Sequence, residues 1–401
     1  MAYNKIEEYV GNNDVSGKKI LVRVDFNVPM QNGQISDDTR LRAALPTIEL
    51  LSKKGAKTIL LSHFGRPKGK VEPSMSLEPI AHALAKLLGK NVGFAADLKG
   101  EIAKSAIDKM QNGDIIILEN SRFYAGEEKN DAELAKEVAA LGDIYVNDAF
   151  SAAHRAHVTT EGVAQFLPSF AGLSMARELD HLNQALGTPI RPVLAIVGGA
   201  KVSSKIDLLE NLVTKVDYLA IGGGMANTFL AADGVDVGKS LCEKDLLDKA
   251  NEIKAAADKA GCKILLPVDV VNSKEFAPNP PTRTCKPNET AADEMILDAG
   301  PQTIANLAAI MEQAKTIIWN GPLGAFETPP FDIATVEAAK TAGALAKAGR
   351  LVAVAGGGDT VSALNHAGAS SDFTFISTAG GAFLEWMEGK ELPGVKALEA
   401  K

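Results

Sequence analysis

The 401-residue chain carries 42 lysines and arginines against 50 aspartates and glutamates, a formal net charge of −8, with 46% hydrophobic residues. That length suits two domains with a core each, and the acidic balance argues against nucleic acid as a partner, since nucleic-acid binders are broadly basic. Three cysteines without a C-x-x-C pair (Cys242, Cys262, Cys285) give neither a disulfide framework nor a zinc site, and no apolar run approaches the ~18 residues of a membrane span, so a cytoplasmic protein away from membranes is expected.

Short β-rich runs alternate with helical patterns, which predicts an α/β protein with parallel sheets built from βαβ units. In the first half the expected strands are Lys19–Val24, Lys57–Leu61, Asn91–Ala95, Asp114–Leu118 and Ile144–Val146. Leu41, Leu45, Ile48 and Leu51 mark one face of a helix containing Pro46. A helix over Leu173–Leu186, followed by a break at Gly187-Thr188-Pro189, is expected to join the halves at a hinge. In the second half the strands are Val193–Val197, Asp217–Ile221, Lys263–Val268, Thr316–Trp319, Leu351–Ala355 and Phe373–Ser377, with helices such as Lys244–Ala260 and Ile333–Ala348 between them. The Pro-rich run Ala277–Pro287 is expected to be a surface loop.

Open parallel sheets bind ligands beyond the carboxyl ends of their strands, and the two halves differ there. The first offers Asp25 and Asn27, His63 and Arg66, Glu119 to Arg122, and Asn147 to His157. Six of the ten arginines precede residue 156, which suits a small, highly charged anion bound by bidentate donors. The second offers glycines: Gly198-Gly199-Ala200-Lys201, Gly222 to Gly224, Asn320 to Glu327, Gly356 to Thr360, and Gly380-Gly381. Glycine turns let a polyphosphate approach the backbone closely. After Val193–Val197 a helix is expected to begin at once and to carry Lys201 and Lys205 on one face, beside unpaired backbone N–H groups that favour phosphate. Lysines at that spacing also make an ordinary solvated face.

Other patterns carry less. Gly234 to Ser240 has three residues between its glycines where a P-loop has four, and Gly222 to Asn227 lacks the third glycine of a dinucleotide fingerprint. His154 and His157 flank Arg155, which opposes a metal cation. Arg23, inside a strand with period-2 alternation, reads as a buried or edge structural ion pair, and His82 and His181 as surface or packing residues without partners. Asp359 follows three glycines where a helix begins, so it reads equally as an N-cap or as a magnesium ligand beside nucleotide phosphates.

In order, VDFNVP (24–29), DDTRLRAALPTI (37–48), SHFGRPKGK (62–70), LENSRF (118–123), DAFSAAHRAH (148–157), VGGAKVSSKI (197–206), IGGGMANTFL (221–230), WNGPLGAFE (319–327), AGGGDT (355–360) and GKELPGV (389–395) closely resemble the phosphoglycerate kinase family along nearly the whole chain. The resemblance implies two doubly wound, Rossmann-like domains: residues 1–171 with a C-terminal tail 392–401 packed back on them, an interdomain helix 172–187, and residues 188–391. It implies reversible phosphoryl transfer between Mg-ATP or ADP and 3-phosphoglycerate or 1,3-bisphosphoglycerate in glycolysis, with Mg²⁺ as cofactor, in a monomer that closes about its hinge to exclude water. Asp25, Asn27, Arg40, His63, Arg66, Arg122 and Arg155 match the family's substrate site. Gly199, Lys201, Lys205, Gly223, Asn320, Glu327, Gly357, Gly358, Asp359, Thr360 and Gly380 are assigned to the nucleotide, Asp359 with the metal. Arg40 and Lys201 match the cations that stabilise the phosphoryl group in flight. Two departures are Phe64, where leucine is more usual, and Ala379, where the family commonly has glycine; a left-handed backbone at Ala379 would strain it. The alternative is a hinged module that binds anion and nucleotide without turnover.

Overall fold

The computed structural model describes residues 3–399; residues 1–2 of the expected first domain and 400–401 of the expected tail lie outside the described residues. The chain forms two compact units, one running to Asp180 and resuming at Glu391, the other His181–Lys390. The division falls within the helix expected over Leu173–Leu186. That helix is α-helical over Leu173–Leu182 and then widens to a π-turn over Asn183–Gly187.

The first unit is built on six strands: β1 Lys19–Arg23, β2 Lys57–Leu61, β3 Gly93–Ala95, β4 Ile115–Leu118, β5 Ile144–Asn147 and β6 Ser169–Ala171. They lie in the order β3-β4-β2-β1-β5-β6, every pair parallel. Near-continuous apolar strands such as Ile115–Leu118 are what a sheet covered on both faces requires. Helix Thr39–Lys53 lays Leu41, Ala44, Ile48 and Leu51 onto the sheet and accommodates Pro46 internally. Leu41, Ile48 and Leu51 each contribute about 1.5–3 kcal/mol by leaving water, and Ala44 less. β6, only three residues long, carries no periodic signal and is absent from the expected strands. Near the tail, the Gly394 N–H donates to the Ala153 carbonyl and the Asn4 N–H to the Leu398 carbonyl.

The second unit contains β7 Val193–Val197, β8 Tyr218–Ile221, β9 Lys263–Leu265, β10 Val270–Ser273, β11 Arg283–Cys285, β12 Met295–Ala299, β13 Thr316–Asn320, β14 Val352–Gly356 and β15 Phe375–Ser377. Six of them form a parallel sheet ordered β9-β8-β7-β13-β14-β15, and β11-β10-β12 form an antiparallel one. The expected strand Lys263–Val268 thus ends early, and the chain turns into β10. The expected loop Ala277–Pro287 is in part a strand: Arg283–Cys285 pairs with β10, and Arg283 is anchored to Glu294 by two hydrogen bonds. His181, expected without a partner, stacks on Phe375 at 4.5 Å.

In both parallel sheets the order reverses direction beside a central strand, between β1 and β5 in the first and between β7 and β13 in the second. Chain connections diverge at such a point and leave a crevice beyond the strand ends.

Candidate functional site

The crevice of the first unit is lined by residues that follow β1, β2, β4 and β5. Asp25 pairs with Arg40 at 2.9 Å, and the same Arg40 nitrogen donates to the Asn27 carbonyl at 2.9 Å. Ser151 donates to Asp25 Oδ2, the same oxygen that meets Arg40. The Asn27 side-chain oxygen accepts from the Gly65 N–H at 2.9 Å, and Arg122 donates to the Gly65 carbonyl at 2.9 Å. Buried Asn120 fixes both loops, accepting from the N–H groups of Phe64 and Arg122 and donating to the carbonyls of Phe64 and Met75. Phe64 packs against the core, so its larger ring is absorbed there. Arg66 and Arg155 are exposed, and Arg155 donates to His154.

Cations outnumber their counter-charges in this basin. Burial lowers the pKa of Arg122, opposed by Glu128 and reinforced by Arg155 and Arg23. Burial, then Arg122, Arg23, Arg155 and His154, pushes His157 down to about 4. His63 is held well below the usual histidine range by burial and then by Arg23, Arg122, Arg40 and His157. Burial disfavours charge of either sign, but the part of these shifts that comes from the surrounding arginines is the part that favours an added anion.

Arg23 is buried, but the expected ion pair is corrected: its hydrogen-bond partners are Thr159, the Val24 carbonyl and His63, not a carboxylate. Glu127, Thr159 and Ser151, which complete the basin's supports, were not singled out in the sequence; Glu127 lies inside an ordinary acidic surface pattern with no local sign of burial.

In the second unit the strand ends β7, β13 and β14 are tied together by Lys205 and Asn320. Lys205 Nζ donates to the Gly198 carbonyl at 2.6 Å and to the Asn320 side-chain oxygen at 2.6 Å. The Asn320 amide nitrogen donates to the Gly356 carbonyl at 2.8 Å. Burial lowers the Lys205 pKa to about 8, with Asp359 opposing. Gly321 has φ 102°, and a Cβ there would fall 2.1 Å from the Gly198 carbonyl oxygen and 2.9 Å from Lys205 Nζ, so only glycine fits.

The expected helix bearing Lys201 and Lys205 on one face is corrected. Lys201 is extended, Val202–Ser204 form a 3-10 turn, and Lys205 caps helix Ile206–Leu212. Side-chain bonds hold this turn: Ser204 donates to the Lys201 carbonyl, and the Ser203 N–H and hydroxyl both donate to Glu243. Lys201 is exposed, Lys205 partly buried. The N-cap reading of Asp359 is likewise corrected: Gly357 is the cap of helix Gly358–His366, and Asp359 stands exposed in its first turn. Thr360 is buried and accepts from the Gly321 N–H at 2.7 Å.

Beside these turns is a cavity of about 480 Å³, walled by Gly199, Gly223, Glu327 and Asp359 and by apolar groups including Leu241, Phe276, Met295, Leu323 and Phe326. Its volume and mostly apolar wall suit a small molecule with a flat apolar part. Lys205 and Asn320 bind each other next to the wall and are not part of it; Lys201, Gly358, Thr360 and Gly380 also lie outside it. Gly380 carries the left-handed backbone (φ 55°) before helix Gly381–Met387, and Ala379 is not among the described non-glycine residues with positive φ. The strain considered for Ala379 is therefore absent. No group of three or more metal-ligating side chains occurs among the described residues, and no helix among them is long and apolar enough to cross a membrane.

The sequence profile of the family described as Phosphoglycerate kinase matches residues 10–390. A phosphoglycerate kinase of Zymomonas mobilis subsp. mobilis is 64% identical over 400 residues, covering 100% of both chains. One from Caulobacter vibrioides is 64% identical over 387 residues, covering 96% of this chain and 98% of the relative. The solved structure of phosphoglycerate kinase from Coxiella burnetii superposes with a TM-score of 0.91 at 43% identity, covering 97% of each chain. That from Pyrococcus horikoshii OT3 gives 0.78 at 32% identity, covering 98% of each.

Proposed function

This chain belongs to the phosphoglycerate kinase family and is a phosphotransferase with a carboxyl group as acceptor; from that premise we propose which of its residues carry each part of the reaction. The enzyme moves a phosphoryl group reversibly between ATP and 3-phosphoglycerate, giving ADP and 1,3-bisphosphoglycerate. The observation that supports the assignment is a single chain holding an arginine-rich basin at one sheet's switch point and a glycine and lysine cradle at the other's.

Arg40, His63, Arg66, Arg122 and Arg155, with Asp25 and Asn27 setting their orientation, take 3-phosphoglycerate. The cavity beside Gly199 and Gly223 takes the nucleoside, with Glu327 at its wall, and Lys205 turns from its carbonyl and amide partners toward the phosphates. Asn320 acts by holding Lys205, and the backbone around Gly357, Gly358, Thr360 and Gly380 lies near phosphate oxygens. The exposed Asp359 carboxylate is a hard oxygen donor and would hold Mg²⁺ arriving with the nucleotide. When bound, Mg²⁺ supplies neutralisation of phosphate charge. We further infer a cytoplasmic monomer.

The acceptor needs no general base, since the carboxylate of 3-phosphoglycerate is already an anion at neutral pH. Its oxygen forms the new bond to phosphorus while the bond to the ADP oxygen breaks and ADP leaves with that electron pair. Positioning and electrostatics then carry catalysis, and the exposed Arg40 and Lys201 are the cations assigned to the phosphoryl oxygens.

The test is ADP release from Mg-ATP with and without 3-phosphoglycerate. Release that requires both Mg²⁺ and the acid is expected; binding of both ligands without ADP formation would return the reading to a binding module.

A further inference from the structure

Arg23 of β1 reaches the imidazole of His63, two residues past the end of β2, with Nη2 2.8 Å from Nδ1, and both side chains are buried. An arginine carries only donors, so this contact exists only if Nδ1 offers its lone pair. We propose that Arg23 is a positioning residue that fixes His63 as the neutral tautomer protonated at Nε2, so that the ring presents a permanent hydrogen-bond donor to the anion basin.

The guanidinium is fixed on its other sides as well. Nε donates to Thr159 Oγ1 at 3.0 Å, and Nη1 donates to the Val24 carbonyl. The Thr159 hydroxyl in turn donates to Glu127, whose other oxygen accepts the Thr159 N–H at 3.2 Å, and the Thr159 carbonyl accepts from Tyr145 at 2.7 Å. A buried carboxylate thus compensates the buried guanidinium through one hydroxyl. The Nδ1–H tautomer would set two donors against each other. The imidazolium would do the same and add charge opposite Arg23, Arg122, Arg40 and His157, which all disfavour it. His63 then contributes direction to substrate recognition, while the arginines contribute charge.

The tautomer follows from unit-one geometry alone; its use toward 3-phosphoglycerate rests on the proposed substrate site. The test is the ring ¹⁵N spectrum of histidine-labelled full-length enzyme at neutral pH, with His63→Gln identifying the His63 signals among the six histidines. The expected result is an unprotonated Nδ1 and a protonated Nε2, unchanged across the pH range in which the fold persists, and a mixed tautomer in Arg23→Met. Arg23→Met is also expected to raise KM for 3-phosphoglycerate about five- to tenfold, the worth of one hydrogen bond, with kcat little changed. A protonated Nδ1 or an imidazolium in the wild type overturns the inference, and that spectrum decides even if Arg23→Met does not fold. If the tautomer is as stated but 3-phosphoglycerate leaves Nε2 unmoved, the inference stands and His63 leaves the proposed substrate site.

Discussion

The Lys205 ammonium meets the Asn320 side-chain oxygen at 2.6 Å, where two neighbouring parallel strands of the second unit end. The same nitrogen lies 2.6 Å from the Gly198 carbonyl and 3.1 Å from that of Asn320. Three neutral oxygens solvate the charge only in part, and burial drops the pKa to about 8. A polyanion arriving beside it favours the ammonium form.

Nucleotide affinity should therefore depend on pH in the alkaline range. Below about pH 8 the free enzyme already carries the charge that the phosphates need; above it, binding must take up a proton. Kd for ATP is expected to rise with pH above 8, approaching about tenfold per pH unit, and Lys205→Met is expected to weaken binding and flatten the profile. Calorimetric titration from pH 7 to 9.5 measures this. A flat wild-type profile would remove Lys205 ionisation from nucleotide binding.

Arg40 and Lys201 are exposed, as Arg66 and Arg155 are, whereas Arg122 is buried and Lys205 partly buried. Residues assigned to the moving phosphoryl group should matter more to the transition state than to bound substrates. Arg40→Ala and Lys201→Ala are each expected to lower kcat by about 10²–10³ with KM changed only a fewfold. Steady-state kinetics with both substrates varied decides it: a loss carried wholly by KM would make these residues ordinary binding groups.

What the sequence reveals depends on how far apart the cooperating residues lie. Both parallel sheets are legible because Lys57–Leu61 or Val193–Val197 is a short apolar run bounded by turn residues, and their polar strand ends follow directly. Lys201 and Lys205 are legible as a pair, yet not their backbone, since Ser203 is held by Glu243, 40 residues away. Arg23 reads as a bland strand residue because its meaning comes from His63, also 40 residues distant. Strand β11 hides in a proline-rich run because β-pairing with Val270–Ser273, not local propensity, makes it.

Asp298, at the wall of the cavity beside Gly199 and Gly223, offers a stability measurement that needs no activity readout. It is buried at the end of β12 and accepts the Ala334 N–H at 2.9 Å at the start of helix Ile333–Lys347. Burial raises its pKa to about 8, with the Ala334 and Ala299 N–H groups opposing and Asp332 adding to the rise. The folded carboxyl binds its proton more tightly than the unfolded one, so the stability it confers is complete below about pH 4 and is lost as pH rises through 8. Asp298→Asn keeps an acceptor for Ala334 without ionising. Relative to that variant, wild-type unfolding free energy is expected to fall by on the order of 1 kcal/mol per pH unit between pH 5.5 and 8. Urea unfolding at several pH values reads this directly, and a pH-independent difference would mean that Asp298 stays ionised when buried.

The backbone at Ala379 shows what an alanine costs in this turn. The left-handed residue of this turn is Gly380, while the Ala379 N–H donates to Ser377 Oγ at 3.2 Å and its methyl is buried. Alanine therefore meets no conformational penalty here, and glycine would enlarge the unfolded ensemble and give up a buried methyl. Ala379→Gly is expected to lower stability by about 0.4–1 kcal/mol and to leave kcat and KM for ATP within twofold. Thermal unfolding paired with steady-state kinetics separates the two effects. A gain in nucleotide affinity would show instead that the methyl crowds the phosphates, and that the close approach provided by Gly380 extends one residue further back along the turn.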